Sequence, residues 1–172
     1  VIDVHKQEGL IIKNWDATYQ WDRTIDWCKV KRFYDVDARV VAWYKGRKKS
    51  RLENTCGGIT VEGRDEHGRP FRTNVGSGFT GAALAALQRR LAPLHRDSSP
   101  LAPCDKVPGR VQWVQPELVA QVRHAWITPQ GHVRQAVYRG LREDKATSEV
   151  VLPQIDKPNQ PLAQVQRAPA AI

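Results

Sequence analysis

From Asp35 onward the hydrophobic period changes character only around one segment, and that switch limits the possible folds most. "DVDARVVAWY" (35–44) is dense in valine and aromatics, residues that fit a pleated, half-buried surface. In "GGITVEG" (57–63), Ile59 and Val61 alternate with polar Thr60 and Glu62, the period of a strand. "DEHGR" (65–69) is a turn signal leading into "PFRTNVG" (70–76), which predicts a hairpin. Then "TGAALAALQRRLAPL" (80–94) spaces Leu84, Leu87, Leu91 and Leu94 by three and four residues. A helix is expected there, with Thr80 as N-cap and Pro93 near its end. Residues 95–111 contain proline and serine and read as loop. "PELVAQVRHAWI" (116–127) and "HVRQAVYRGL" (132–141) flank the turn signal "TPQG" and read as a final strand pair.

Three strands, a helix and two strands predict a mainly β domain over residues 33–149. The count and order match a five-stranded OB-type barrel with one helix between strands 3 and 4, a fold commonly used on nucleic acids. Upstream, "EGLIIK" (8–13) and "DWCKVK" (26–31) read as two strands around a polar and aromatic loop. Two strands alone are marginal in water, so residues 1–32 are expected to be the end of a domain lying upstream. The chain has 172 residues and no methionine, even at position 1, which fits the C-terminal part of something longer. Residues 150–172, rich in Pro, Gln and Ala, are expected to form a mobile tail.

Composition narrows the function. No apolar run approaches the roughly 18 residues of a helical membrane span; "AALAAL" (82–87) is the nearest. Cys28, Cys56 and Cys104 are odd in number and far apart, which argues against a disulfide framework or a zinc site and favours a reducing, cytoplasmic setting. The net charge of +9 and a pI near 9.8 point to a polyanionic partner. Arg47, Lys48, Lys49 and Arg51 crowd the loop between the first two barrel strands, a candidate nucleic-acid contact. On a strand, Trp27, Lys29 and Lys31 share one face, with the two lysine stems leaving the backbone roughly 7 Å apart. A phosphate between them would replace mild repulsion with two charge-assisted contacts.

Three motifs stand in order: "EGLIIK" (8–13), "WCKVK" (27–31) and "GLREDK" (140–145). Together they resemble the last three signature motifs of ATP-dependent DNA ligases, members of the covalent nucleotidyltransferase superfamily: E-G, three apolar residues and K; then K-x-K; then R-x-D-K. "DVDARVVAWY" and "NVGSGFT" resemble stretches of the ligase OB domain, and the likeness runs from Glu8 to Lys145. The resemblance implies that Glu8 helps hold the catalytic Mg2+ and that Lys29 and Lys31 contact the α-phosphate of ATP, with Lys13 close by. It implies that Arg142, Asp144 and Lys145 close over ATP and orient the departing pyrophosphate. Trp27 is expected to pack under the lysine stems. The implied partners are nicked duplex DNA and an N-terminal nucleotidyltransferase portion. The implied setting is a monomer in a bacterial or phage-infected cytoplasm.

One departure bears on mechanism. The family's nucleophile sits in K-x-D-G-x-R, which occurs nowhere in these residues. The chain alone is therefore expected to form no lysyl-AMP. An mRNA-capping guanylyltransferase shares two motifs, but its last one usually continues toward Pro-Asn, where this chain has Ala146, Thr147 and Ser148. A stand-alone OB module would stack bases on aromatics such as Trp43, Trp113, Trp126 or Tyr138.

Overall fold

A computed structural model describes residues 9–65, 67–100, 111–128 and 131–150. Strands β1 (Gly9–Lys13) and β2 (Trp27–Lys31) form an antiparallel two-stranded sheet of their own. The larger sheet is built on β3 (Tyr34–Lys45), β4 (Cys56–Arg64), β5 (Pro70–Val75), β8 (Val119–His124) and β11 (Val137–Leu141), in the order β11-β8-β3-β4-β5. Helix α1 (Gly81–Leu91) lies between β5 and β8 in the chain and continues into a 3-10 turn at Ala92–Leu94. Among the described residues the architecture is mainly β with one α-helix, an OB-type arrangement, as expected.

Strand β3 organises the sheet because it changes partner along its length. Its first half, Tyr34–Arg39, pairs with β8, and Ala42–Tyr44 pair with β7 (Val111–Val114). The change coincides with a register shift against β4 between Val40 and Ala42, the local bend that a bulge introduces. Val40, Val61, Ile59, Val75, Val114, Val122 and Leu87 build the common core beneath it.

The helix forms where the leucine period placed it. Thr80 caps it, its hydroxyl accepting from the Ala83 N–H at 3.1 Å, and Leu84, Leu87 and Leu91 are buried. The tight turn between β4 and β5 is also as expected. Asp65 accepts from the N–H groups of His67 and Arg69, and Gly68 takes a φ of +74°.

Four features differ from the sequence expectations. Among the described residues the barrel is not closed by a strand ladder: the segment after β5 meets the start of β11 through two hydrogen bonds, Tyr138 N–H to Ser77 O at 2.9 Å and Ser77 Oγ to Ala136 O at 3.0 Å. Gly78 makes that approach possible, since its φ is +88° and a Cβ there would lie 2.3 Å from the Tyr138 carbonyl oxygen. Second, the last strand pair is shorter than 116–127 and 132–141. After His124 the chain diverts into a small hairpin of β9 (Trp126–Ile127) and β10 (Val133–Arg134), and β11 starts only at Val137. Third, β6 (His95–Arg96) falls where loop was expected, and it pairs with β7, which no strand assignment had covered. Their pairing depends on a contact across the chain, and runs this short carry little periodic signal.

Finally, Thr60 and Glu62 are polar but only 1% and 2% exposed. Cross-strand partners cover them: Thr60 Oγ1 donates to Asn74 Oδ1 at 2.8 Å, and Glu62 pairs with Arg39 at 2.5 Å and Arg72 at 3.4 Å. Val150, at the boundary drawn for the tail, is buried, and residues 151–172 lie outside the described set.

Candidate phosphate and nucleic-acid site

The residues of "REDK" leave the end of β11 in a fixed geometry. The Arg142 N–H donates to Val119 O at 2.8 Å, extending the β11–β8 ladder by one rung. Beyond it, Glu149 accepts from the Ala146 N–H at 2.8 Å and holds the following 3-10 turn (Thr147–Glu149). The backbone on both sides of the motif is therefore anchored.

The side chains form a chain of alternating charge. Arg142 donates from Nε and Nη2 to the two oxygens of Asp144, at 2.9 and 2.7 Å, the fork geometry that guanidinium and carboxylate share. Its Nη1 donates to Asp37 of β3 at 3.2 Å, and Lys145 Nζ donates to the same carboxylate at 2.5 Å. The hydrogen bond from Arg142 holds the Asp144 carboxyl down at about 2, and the same bond raises the pKa of Arg142. Arg142 and Asp144 therefore keep their charges across the physiological range. Beside them lies a cleft of about 240 Å³ whose lining includes Arg90, Glu117, Arg142, Glu143 and Lys145. Arg90 reaches from the last turn of α1 to pair with Glu143. Asp37 was missed by motif reasoning. Its one sequence signal was a carboxylate repeating with Asp35 along a strand of a strongly basic chain.

The second group lies on the β1–β2 sheet. Lys13 stands opposite Trp27, Ile11 opposite Lys29 and Gly9 opposite Lys31, so Lys13, Lys29 and Lys31 share one face. Trp27 packs under a lysine, as expected, but its cross-strand partner Lys13 supplies the cation, with Nζ 4.2 Å from the ring centroid. A Cβ at Gly9 would lie 2.4 Å from the Val30 carbonyl oxygen and 3.2 Å from Lys31 Cγ, so glycine keeps room for that strand and the lysine stem. The structure thus brings the three lysines together on one sheet and Arg142, Asp144 and Lys145 together at the end of another.

Glu8 lies outside the described residues. Among the described residues, no group of three or more His, Cys, Asp and Glu is placed to hold a metal ion. These residues do not by themselves make a magnesium site. No helix among them is long and apolar enough to cross a membrane.

Arg47, Lys48, Lys49 and Arg51 are exposed in the β3–β4 loop. The loop is shaped from within: Ser50 N–H donates to Arg47 O at 3.1 Å, Lys49 N–H to Glu53 Oε2 at 2.7 Å, and Gly46 N–H to Leu52 O at 3.0 Å. Such a loop holds its cations outward without spending them on each other. If Lys48 and Lys49 both meet DNA phosphates, replacing them with Ala should make the log–log salt dependence of duplex binding shallower by about one to two units. Fluorescence anisotropy over a salt series measures this, and an unchanged slope removes the loop from the interface.

The aromatics of the base-stacking alternative are mostly occupied elsewhere. Tyr138 is in the core and stacks on Phe79 at 4.4 Å, and Trp43 packs against the same core. Trp113 is partly buried on β7, and Trp126 is 47% exposed.

Comparison with known proteins gives this geometry a family. The sequence profile described as ATP dependent DNA ligase C terminal region matches residues 56–145. The multifunctional non-homologous end joining protein LigD of Mycolicibacterium smegmatis is 39% identical over 147 residues, covering 84% of this chain and 19% of that protein. The protein of the same name from Pseudomonas aeruginosa is 40% identical over 146 residues, covering 83% and 17%. Among solved structures, the ligase domain of Mycobacterium tuberculosis LigD superposes with a TM-score of 0.60 at 34% identity, over 87% of this chain and 49% of that one. A mycobacterial DNA ligase D complexed with ATP and MES gives 0.56 at 33%, over 87% and 48%. The chain thus spans about a fifth of these curated relatives and about half of the solved ligase chains. With an OB-type sheet, an anchored R-x-D-K and a profile match over more than half its length, the chain belongs to the ATP-dependent DNA ligases as a C-terminal region.

Proposed function

We propose that this chain is the C-terminal working part of an enzyme that seals nicks in duplex DNA at the expense of ATP. Residues 1–32 would end the nucleotidyltransferase domain, and residues 33–149 would be the OB domain. The complete enzyme would adenylylate a lysine, pass AMP to a 5′-phosphate, and let the neighbouring 3′-hydroxyl displace it. The observation that carries the proposal is the anchored pair of cations, Arg142 and Lys145, at the rim of an open cleft.

Each group has a chemical task in this reading. Lys29 and Lys31 hold the α-phosphate, the phosphorus attacked in the first step, and Lys13 adds a third positive charge on that face. Arg142 and Lys145 meet the β- and γ-phosphates, where negative charge grows as pyrophosphate departs. Cations fixed there before the reaction stabilise the transition state without having to reorganise. Asp144 keeps the Arg142 guanidinium plane in one orientation. The exposed β3–β4 loop grips DNA phosphates.

The β1–β2 sheet supports the need for an upstream partner. Leu10, Ile11, Ile12, Trp15, Trp21 and Ile25 are all exposed, the last at 99%. So much apolar surface on a two-stranded sheet and its connecting loop calls for cover, and a nucleotidyltransferase domain completed by these strands would supply it.

The reading predicts that this chain, incubated with radiolabelled ATP and magnesium, forms no covalent protein–AMP adduct on a denaturing gel, since no K-x-D-G-x-R nucleophile is present. Appearance of such an adduct would overturn the division of labour proposed here.

A further inference from the structure

We infer that Asp37 is a positioning residue for the ATP-dependent step: it ties Arg142 and Lys145 to the central strand of the sheet at the separation a polyphosphate needs. The inference rests on the proposed leaving-group role of those two cations.

Asp37 suits this task by its place. It sits on β3 opposite Gln121 of β8, between partly buried Val36 and fully buried Ala38. Its backbone therefore belongs to the most constrained strand of the domain, while its carboxylate is 17% exposed at the surface. Both motif cations end on that one carboxylate, Arg142 Nη1 at 3.2 Å from each oxygen and Lys145 Nζ at 2.5 Å from Oδ2. Two flexible cationic side chains left to themselves would repel each other and sample separate rotamers. A shared carboxylate removes both problems and holds them side by side.

Donor capacity remains for substrate. Lys145 carries three N–H donors, so two stay available when one goes to Asp37. Arg142 has five donors, two carboxylates fix its plane, and the residue lines the cleft with donor capacity left over. Arg142, Lys145, Asp37 and Asp144 sum to zero charge, so the group presents ordered donors rather than a bulk positive field.

The test uses the complete ligase polypeptide with Asp37→Asn and Asp37→Glu. Two single-turnover reactions are followed: adenylylation over a range of ATP concentrations, and sealing of a nick already carrying 5′-linked AMP. For Asp37→Asn the adenylylation rate constant should fall by about 10- to 100-fold, as expected when reacting groups lose their orientation. The KM for ATP should change by less than about 3-fold, sealing should be preserved, and Asp37→Glu should recover most of the loss. Unchanged adenylylation, or parallel loss of both reactions, overturns the inference. Arg142→Ala run alongside separates the two ideas. If it blocks adenylylation while Asp37→Asn does not, only the Asp37 assignment fails; if it spares adenylylation, the leaving-group reading fails.

A measurement on the unsubstituted chain guards against misfolding of the variant. The Lys145 ammonium should exchange its protons with water more slowly than that of Lys48 in nitrogen-15 NMR. Titrated inorganic pyrophosphate should shift Lys145 Nζ and Arg142 Nε together. A Lys145 signal exchanging as fast as Lys48 overturns the tether.

Discussion

Arg142→Ala and Lys145→Ala should each slow reaction with ATP by roughly 30- to 1,000-fold, the loss of about 2–4 kcal/mol of transition-state stabilisation, while leaving the sealing of pre-adenylated nicks largely intact. The asymmetry follows from where charge develops. In adenylylation the bond to pyrophosphate breaks and its negative charge must be met; in the sealing step AMP leaves and no pyrophosphate is present. Arg142 is held by Asp144 and Asp37, and Lys145 by Asp37, so their donors reach the cleft already ordered. Removing Arg142 also returns the Asp144 carboxyl from about 2 toward the ordinary range near 4. A depressed carboxylate contributes stability above its unfolded value, and that contribution fades as pH falls from about 4 through 2. The Arg142→Ala protein should therefore lose that contribution at neutral pH, a modest loss because Asp144 is solvent-exposed, and the difference from the unsubstituted protein should shrink as pH falls toward 2; circular dichroism melts at both pH values measure this and show that the variant folds.

Lys29→Ala and Lys31→Ala should instead impair both reactions, by a similar 30- to 1,000-fold each. The phosphate they are proposed to hold is the one transferred in every step: the α-phosphate of ATP first, then the AMP phosphate linked to DNA. Their shared face on β2, with Lys13 on the neighbouring strand, makes a surface suited to a single tetrahedral anion. Lys13→Ala is a less direct test, because its ammonium also packs on Trp27. The measurement is single-turnover rates for both reactions in both variants. Loss confined to the ATP reaction would move these lysines from the α-phosphate to the leaving group.

Much of this was legible in the residues. The leucine spacing from Leu84 to Leu91, with Thr80 ahead of it, specified the helix because helical periodicity and capping are local properties. The turn at Asp65 and Gly68 was legible for the same reason. Strands β6 and β7 were not, since two- and four-residue strands exist only through partners distant in sequence. The approach of Gly78 to Tyr138 without a closing ladder depends on how far two edges of one twisted sheet come together, which no local pattern encodes. The burial of Glu62 misled the alternation rule because Arg39 and Arg72, from two neighbouring strands, cover it.

The candidate site divides along the same line. Short motifs named the lysine face and the R-x-D-K cations, because their spacing is linear and strand geometry converts it into a shared face. Asp37 lies 105 residues from Arg142 in sequence. Only the pairing of β3 with β8, and of β8 with β11, brings its carboxylate to those cations.

The most direct measurement for the account is the ratio of two single-turnover rate constants in Arg142→Ala: adenylylation by ATP over sealing of a nick that already bears 5′-linked AMP. The account predicts that this ratio falls by roughly 30-fold or more relative to the unsubstituted enzyme, with sealing nearly unchanged. A ratio that stays the same, with both reactions slowed together in a folded protein, would contradict it and assign Arg142 to DNA binding instead.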